Sequence, residues 1–591
     1  MRGFRELHRV ESLADHMQGF RHHLYWLFLV LTGCRTDTAA RVNPSAEWFE
    51  DVTDRSGLHY APGAVQADPW FMPAMMAGGA AVLDFDNDGL LDIFLTPGGE
   101  QGAGSASKLY HQKAGGTFED VTRAAGVEIF GYGQGVAVGD VNNDGWPDLF
   151  VTGFRSIWLF QNNGNSTFRD ITQESGIDNP LWGTSAAFVD YDRDGWLDLV
   201  VVNYVQYNSS KTCSGNGGQR DFCGPSAFDA SVSRLFRNCG HSGDGESRKV
   251  TFADVSVTAG LAGAAGPGLG AVCVDFDGDR WPDIFIANDG QPNHLWMNQK
   301  DGTFKEEAVL RGAAYNGMGV AEANMGVALG DINDDGLFDL FVTHLSDETH
   351  RLWLQIQRGH FQDRTAQVGL SGGGRSTGFG TLFADFDHDG FEDLVLANGY
   401  VKRPSEIPPA STAESFWTVY QERNSLYRNN GRGEFTNVSQ ANPAFSEPSG
   451  VHRVLVVADF DNDGAPDLLV TRLDGPARLY RNIVPQRGHW VMVRAIDPVL
   501  KRDAYGAELT VRASGRHWTR WMNPGYSFAS SHDPRAHVGL GHADRVDEFH
   551  VIWPDGQEEH FAGTPADCVV TLRKGSGHSI APPATVSSEF P

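Results

Sequence analysis

An all-β chain built on a repeat is what the sequence predicts, and three observations carry that expectation. A nine-residue acidic stretch, plainest at Asp459-Phe460-Asp461-Asn462-Asp463-Gly464-Ala465-Pro466-Asp467, occurs seven times. Short apolar, β-branched runs flank it, such as Val454 to Ala458 and Leu468 to Thr471, and read as strands. The copies start 56, 50, 85, 56, 54 and 74 residues apart, and four strands with their turns need about 45 to 55 residues. The expected fold is a seven-bladed β-propeller over residues 47–485, followed by a small β-sandwich-like domain over 486–565.

Within each acidic stretch, carboxylates fall at positions 1, 3, 5 and 9, with Gly at 6. Carboxylates this close repel one another unless a cation sits among them. Calcium fits, because it takes six to eight hard oxygen ligands in a flexible shell, with position 7 adding a backbone carbonyl. The side-chain ligands expected in chain order are Asp84, Asp86, Asp88 and Asp92; Asp140, Asn142, Asp144 and Asp148; Asp190, Asp192, Asp194 and Asp198; Asp275, Asp277, Asp279 and Asp283; Asp331, Asn333, Asp335 and Asp339; Asp385, Asp387, Asp389 and Asp393; and Asp459, Asp461, Asp463 and Asp467. That makes up to seven calcium ions. Asn142 and Asn333 keep an oxygen but lose a charge, and Arg280 stands where the fourth copy should have Gly, so that loop is expected to be strained or differently turned. An EF-hand opens similarly but closes with Glu at position 12 between helices; position 12 here is Val470, inside an apolar strand.

Two further signatures complete the repeat. An aromatic strand ending in a β-branched or small residue appears at Phe49 to Thr53, Phe118 to Thr122, Phe168 to Thr172, Phe252 to Ser256, Phe304 to Ala308, Phe361 to Thr365 and Phe435 to Ser439. Leu-aromatic-x-Asn precedes most of these, as at Leu159 to Asn162, Leu235 to Asn238 and Leu426 to Asn429. The first aromatic strand comes before any loop, whereas Leu479 to Asn482 has none after it. Phe49 to Thr53 is therefore expected to pair into the last blade and remove an exposed edge. Two long periods hold insertions, one with Cys213 and Cys223, the other with Lys402 to Pro409 and Phe416 to Tyr420. Such insertions emerge on a propeller face, where binding usually resides, or are disordered decoration. After Asn482 the period stops, short alternating runs begin, and residues 566–591 read as a Ser- and Pro-rich tail.

The 591 residues carry a formal charge of −28, which argues against nucleic acid as a partner. Seven divalent ions would halve that charge, so metal is expected to contribute to folding. Residues 1–33 read as a signal peptide: Arg21, His22 and His23 precede an apolar run from Leu24 to Leu31 that is too short to span a bilayer. Leu31-Thr32-Gly33-Cys34 resembles a bacterial lipobox, which would make Cys34 the lipidated first residue of the mature chain, followed by a linker over 34–46. Cleavage after Thr38-Ala39-Ala40 is the alternative and would release a secreted protein; translation starting at Met17 is also open. In an oxidising compartment Cys213 and Cys223 are expected to form a disulfide, while Cys239, Cys273 and Cys568 read as buried or free thiols.

The seven Asp-x-Asp/Asn-x-Asp-Gly-x-x-Asp units with Gly-rich lead-in strands resemble FG-GAP or VCBS repeats, the type that builds the integrin α-chain propeller. The region with Tyr505-Gly506-Ala507, Gly525-Tyr526, His537-Val538-Gly539-Leu540-Gly541 and Val551-Ile552-Trp553-Pro554-Asp555-Gly556 resembles the ASPIC/UnbV domain. In this order the two resemble the cartilage acidic protein family, and the lipobox points to one of its bacterial members. The resemblance implies an extracellular, calcium-binding protein associated with adhesion, and implies no settled chemistry for the C-terminal domain.

Three functions fit this reading. The first is a non-catalytic adhesion or ligand-binding module for an extracellular protein or glycan, touching a membrane through a lipid anchor only. The second is an exported polysaccharide hydrolase or lyase with acids near the channel; the residues outside the repeat grammar are Asp289 and His294 after the fourth loop, and His344, Asp347, Glu348 and His350 after the fifth. The third is a lectin-like module, although Trp146, Trp196 and Trp281 stand at loop position 7 and read as packing. No His-Glu-x-x-His or P-loop motif occurs, and the Gly-rich run through Gly374-Arg375-Ser376-Thr377-Gly378 reads as repeat structure, since comparable Gly runs precede other loops, as at Gly131 to Gly139.

Overall fold

The computed structural model describes residues 46–60, 68–99, 106–215, 218–242, 249–372, 375–404 and 416–579. The signal-peptide segment, Cys34 and nearly all of the 34–46 linker lie outside them. Among the described residues no helix is long and apolar enough to cross a membrane.

Seven antiparallel sheets share one plan of four strands. In the second, Gly131–Gly139 pairs with Asp148–Gly153, then Ser156–Asn162, then Phe168–Asp170. The acidic stretch is the turn between the first and second strands of every sheet, and the aromatic signature is the outermost strand. Innermost strands are buried along their length, as in Gly183–Val189, Gly268–Val274 and Gly378–Ala384, because both faces of each sheet pack on neighbours. Contacts between innermost strands run from each sheet to the next, and the seventh, His452–Ala458, touches the first, Ala80–Leu83. The outermost strand of the seventh sheet is the beginning of the described chain: Phe49 pairs with Asn482, Glu50 with Arg481 and Asp51 with Tyr480. Phe49 is fully buried there, edge-on to Phe386 of the sixth sheet at 5.1 Å.

The C-terminal region folds as two sheets around Trp518 and Trp553. Its boundary differs from the sequence expectation. Cys568–Arg573 runs parallel to His489–Asp497, and His578–Ser579 pairs with Glu558–Ala562, so the domain continues to residue 579 and residues 566–579 are not tail. Burial alternates along Cys568–Arg573, but the outward-facing Val569 is apolar and breaks the apolar–polar alternation in the sequence, which hides the strand from a pattern search.

This domain sits on the acidic-loop side and sends the segment 523–532 into the middle of the repeat array. Ser530–Ser531 adds a parallel strand to Ala80–Ala81, and Ser527 bridges Val327. Ala529 N–H donates to Ser185 Oγ at 3.0 Å, Thr381 N–H to Ser527 Oγ at 2.9 Å, and Val457 N–H to His532 Nδ1 at 3.2 Å. Phe528, at the tip, is fully buried against Phe379, 5.1 Å between centroids. Close backbone approach fixes the lining: a Cβ on Gly270 would stand 2.7 Å from the Ser527 carbonyl oxygen.

Candidate metal loops and the opposite face

Each acidic loop is held by the same three hydrogen bonds before any ion is considered. The position 6 N–H donates to one oxygen of position 1 at 2.6–3.0 Å. The position 7 N–H donates to position 5 at 2.8–3.0 Å. The position 2 N–H donates to position 9 at 2.9–3.4 Å. Position 6 has positive φ in every copy, and so does position 4: Asn87, Asn143, Arg193, Gly278, Asp334, His388 and Asn462 lie between 53° and 75°. The second requirement was missed in the sequence, although Asn and Asp, which tolerate that region, fill four of the seven places.

The fourth loop keeps this turn despite Arg280. Its φ is +73°, and its N–H still donates to Asp275 at 2.6 Å. The guanidinium reaches into the C-terminal domain, donating to the Gly556 carbonyl at 2.9 Å and pairing with Glu558. Arg280 is therefore strained in the same turn rather than differently turned, and it docks the Trp553-Pro554-Asp555-Gly556 corner.

Side-chain oxygens converge in several loops: Asp84, Asp86 and Asp88; Asp190, Asp192 and Asp194; Asp275, Asp277 and Asp279; and Asp385, Asp387 and Asp393 each bring ligand atoms within 4.8 Å of one another. Buried oxygens on Asp86, Asp190 and Asp277 have no hydrogen-bond partner, which is costly unless a cation meets them. Burial pushes the position 1 carboxyls up, to about 6 for Asp140 and Asp275 and about 7 for Asp190, Asp331 and Asp459. Burial also carries Asp148, Asp198, Asp283, Asp339 and Asp467 at position 9 well above the carboxylate range, with like-charged neighbours adding to it. A divalent ion among these oxygens would let them ionise, so the donor set fits calcium. Basic side chains stand at the rim of some loops: Arg237 on Asp192 at 2.6 Å, Arg428 on Asp387 at 2.6 Å and Arg481 on Asp461 at 2.6 Å. In the second and fifth loops the amides of Asn142 and Asn333 turn toward Asp144 and Asp335 instead.

Position 9 has a further task. Its second oxygen accepts a backbone N–H from the third strand at 2.7–2.9 Å, at Gln112, Asn162, Asn238, Asn298, Gln355, Asn429 and Asn482. The side-chain amide of that residue then donates to the position 2 carbonyl of the preceding sheet: Asn162 to Phe85, Asn238 to Val141, Asn298 to Tyr191, Asn429 to Ile332, Asn482 to Phe386, and Gln112 to Phe460, all at 2.7–3.0 Å. Gln355 is the exception and bonds within its own sheet, to Phe338. The signal for this clasp was the Asn of Leu-aromatic-x-Asn, which the sequence shows without its partner. Trp281 at position 7 packs under the Arg193 guanidinium of the neighbouring loop at 4.9 Å.

Most loops are covered by the C-terminal domain. Arg502 donates to Asn143 Oδ1 at 2.8 Å and to the Gly195 carbonyl at 3.2 Å; Arg516 pairs with Asp334 at 2.9 Å; Trp518 Nε1 donates to the Gly390 carbonyl at 2.8 Å; and Arg535 donates to Asn462 Oδ1 at 3.0 Å.

The opposite face carries the insertions, and they meet. Cys213 and Cys223 are joined by a disulfide; Cys239 is an exposed free thiol, Cys273 a buried one and Cys568 a half-buried one. Tyr420 O–H donates to Asp221 at 2.8 Å, and Trp70 lies 5.3 Å from Phe222 and 4.9 Å from Phe416. Phe222 also lines a cavity of about 330 Å³ in whose lining Asp289, Asp347 and Glu348 come together. The other non-repeat candidates are absent from that lining. His344 and His350 are pushed down to about 3 by burial, His350 accepting the His344 N–H at 2.9 Å, and His294 lies against Trp296.

A family profile described as FG-GAP-like repeat matches residues 84–151, 140–201, 275–342, 331–396 and 413–470, and one described as ASPIC and UnbV matches 499–579. Cartilage acidic protein 1 of Xenopus tropicalis is 29% identical over 292 residues, 46% of this chain and 40% of that protein. The Homo sapiens protein is 28% identical over 317 residues, 51% and 43%. The chain thus matches about two fifths of these relatives' length. Among solved structures, an Agrocybe aegerita lectin described by its recognition of non-reducing terminal N-acetylglucosamine aligns with a TM-score of 0.35 and 13% identity over 69% of this chain and 88% of that one. A Bacillus licheniformis rhamnogalacturonan lyase aligns with a TM-score of 0.35 and 14% identity over 73% and 75%. With more than half of its residues matched by these profiles, the chain belongs to the FG-GAP-like repeat family and carries an ASPIC and UnbV domain behind its repeats.

Proposed function

We propose that the chain is an exported, calcium-loaded, seven-bladed closed propeller that works by binding, without catalysis, and presents the insertion-bearing face to an extracellular protein or glycan. The observation that carries this reading is the division of labour between faces. Acidic side chains are concentrated in seven identically braced loops suited to calcium and largely covered by the C-terminal domain, which leaves the other face for a partner. Up to seven ions are held by the 28 side chains named above. The seven sheets built on one four-strand plan, the cyclic contacts of their inner strands and the pairing of residues 49–51 with 480–482 support closure into seven blades. The order of signal segment and Cys34 supports either a lipid-anchored or a secreted mature protein, and the acidic charge supports a partner other than nucleic acid.

Chelation tests the metal half. Each site at a hundredfold excess of ion over its dissociation constant contributes about 2.7 kcal/mol, so stripping several should lower the melting temperature by more than about 10 °C; an unchanged melting curve would remove calcium from the account. A glycan array and an extracellular-protein panel, each with and without chelator, test the binding half.

A polysaccharide hydrolase or lyase is the second reading, favoured by Asp289 and Glu348 opening on one cavity. Burial lifts Asp289 to about 6 and Glu348 to about 7, values suited to proton transfer. A pocket of about 330 Å³ under two insertions is small for a polymer, so binding is preferred. Release of reducing ends or unsaturated sugars from a polysaccharide panel, abolished by Glu348→Gln, would reverse that preference.

A further inference from the structure

The cavity on the insertion-bearing face has a chemistry of its own. Its floor is Leu269, Met325 and Phe379, at the starts of three innermost strands, and Phe528 packs behind that floor on Phe379. Met72, Met75 and Met76 form one wall. Thioether and aliphatic surface of this kind adapts to an apolar body of irregular shape. The opposing side is polar in one sense. Asp289 Oδ2 accepts the Tyr204 O–H at 2.6 Å, Glu348 Oε2 accepts the Ala323 N–H at 3.0 Å, and Asp289 and Ala323 are themselves bridged by backbone hydrogen bonds, which sets the two carboxyls on either side of one residue. Asp347 adds a third carboxyl at the exposed rim.

Among the described residues, positive charge at the lining is limited to Lys402, whose Coulombic effect reaches Asp289. Arg453 lies close by over the Phe379 ring at 4.2 Å, but its guanidinium is taken up by the carbonyls of Met75, Gly399, His452 and Tyr400. Glu322 is likewise bound in a two-point pair with Arg351 at 2.6 and 2.7 Å. The pocket thus carries three carboxyls against one ammonium, with Ser226 and Gln291 as its neutral polar side chains beside Tyr204. A ligand that fills it must bring N–H or O–H donors and positive charge, together with apolar surface for the methionine wall.

We propose that this cavity is a binding site for a small amphipathic amine, its protonated nitrogen between Asp289 and Glu348 and its apolar body against Met72, Met75, Met76 and Met325. The site goes beyond the partner surface described above, because it is too small for a folded chain and its acids repel uronic-acid glycans. The Tyr204 O–H holds the Asp289 carboxyl in place, and residues 222–226 with Val401 and Lys402 close the cavity on the insertion side.

The test uses the calcium-loaded full chain and three probes that share one chain length: hexylamine, hexanol and hexanoate. Calorimetric titration should show hexylamine binding at least about tenfold more tightly than hexanol, the factor expected for one charge-assisted hydrogen bond, and hexanoate not binding. Methyl signals of Met72, Met75, Met76 and Met325 should move with hexylamine in carbon-13 methionine-labelled protein, which locates the ligand without any substitution. Glu348→Gln and Asp289→Asn should each weaken hexylamine about tenfold while leaving the calcium-dependent melting curve in place. Equal affinity for hexanol, tighter binding of hexanoate, absent titration heat with static methionine signals, or indifference to both substitutions would each overturn the amine site. None of those outcomes bears on the partner reading, which stands or falls on chelation and the partner panels.

Discussion

The two faces of the repeat array are built on opposite rules. On the loop face every copy repeats the same bonds, with position 6 tied to position 1, position 7 to position 5 and position 2 to position 9, and the C-terminal domain docks on their carbonyls. On the other face the insertions break the repeat: Trp70, Phe222, Phe416 and Tyr420 come from three unrelated segments and pack on one another, and Phe222 also lines the cavity. Regularity marks the part that holds the molecule together, and departure from it marks the part available for recognition.

Chelation is the largest blow to that contrast. Hydrogen exchange after calcium removal should rise first at the loops and at the docked amides of Gly488 and Gly541, which donate to Asp387 and His388, and last at the disulfide-braced insertion. Simultaneous loosening of both faces would erase the distinction. Phe528→Ala comes next. Removing a fully buried ring from the centre should cost about 3–5 kcal/mol by denaturant titration and, because the ring backs the floor of the opposite cavity, should weaken hexylamine as well.

The clasps give a smaller and more local effect. Asn482→Ala leaves the carbonyls of Phe386 and Pro466 without their donor and should cost about 1–3 kcal/mol. Gln355→Ala should loosen only its own sheet, because its amide bonds Phe338 there. Equal spread of exchange into the preceding sheet in both variants would show that the clasp does not join sheets.

Acidification should act through the neutral histidines. Val457 donates to Nδ1 of His532, and burial lowers that imidazole to about 3. A group whose folded value lies below its unfolded one takes up fewer protons when folded, so its contribution is complete above about 6.5 and is lost as pH falls toward 3. In chelator the raised loop carboxyls take up protons in the same window and act in the opposite sense, so the readout is a difference: the melting temperature of the original relative to His532→Phe should fall as pH drops from about 6.5 toward 3.

Smallest of all is Arg280→Gly. Relief of positive φ is worth about 1 kcal/mol, and the lost pair with the half-exposed Glu558 offsets roughly that much, so stability should stay within about 1 kcal/mol of the original. Calcium stoichiometry by equilibrium dialysis should be unchanged, since the Arg280 backbone and not its side chain serves the loop.

Much of this architecture is legible in the sequence because it is local and periodic. Strand, acidic turn and aromatic strand recur within one period, and the unpaired aromatic strand at Phe49 foretells its pairing with Asn482. What escaped is non-local. Position 4 of the loop shows its φ only in three dimensions, the clasp needs a carbonyl more than 70 residues away in its commonest form, and Asn523 to His532 looks like an ordinary turn until Ser530 is seen beside Ala80. At the cavity, Asp289, Asp347 and Glu348 stood out for lying outside the repeat grammar, but the methionines opposite them had no pattern to announce them.

Pairing of Phe49–Asp51 with Arg478–Asn482 also sets a schedule for synthesis. The early strand waits for its mate while more than 400 residues are added, roughly twenty seconds to a minute and a half at ribosomal speed. Through that interval a Trp48-Phe49 edge hangs open to strangers. Whatever shields those few residues on the nascent chain governs the yield of the finished protein.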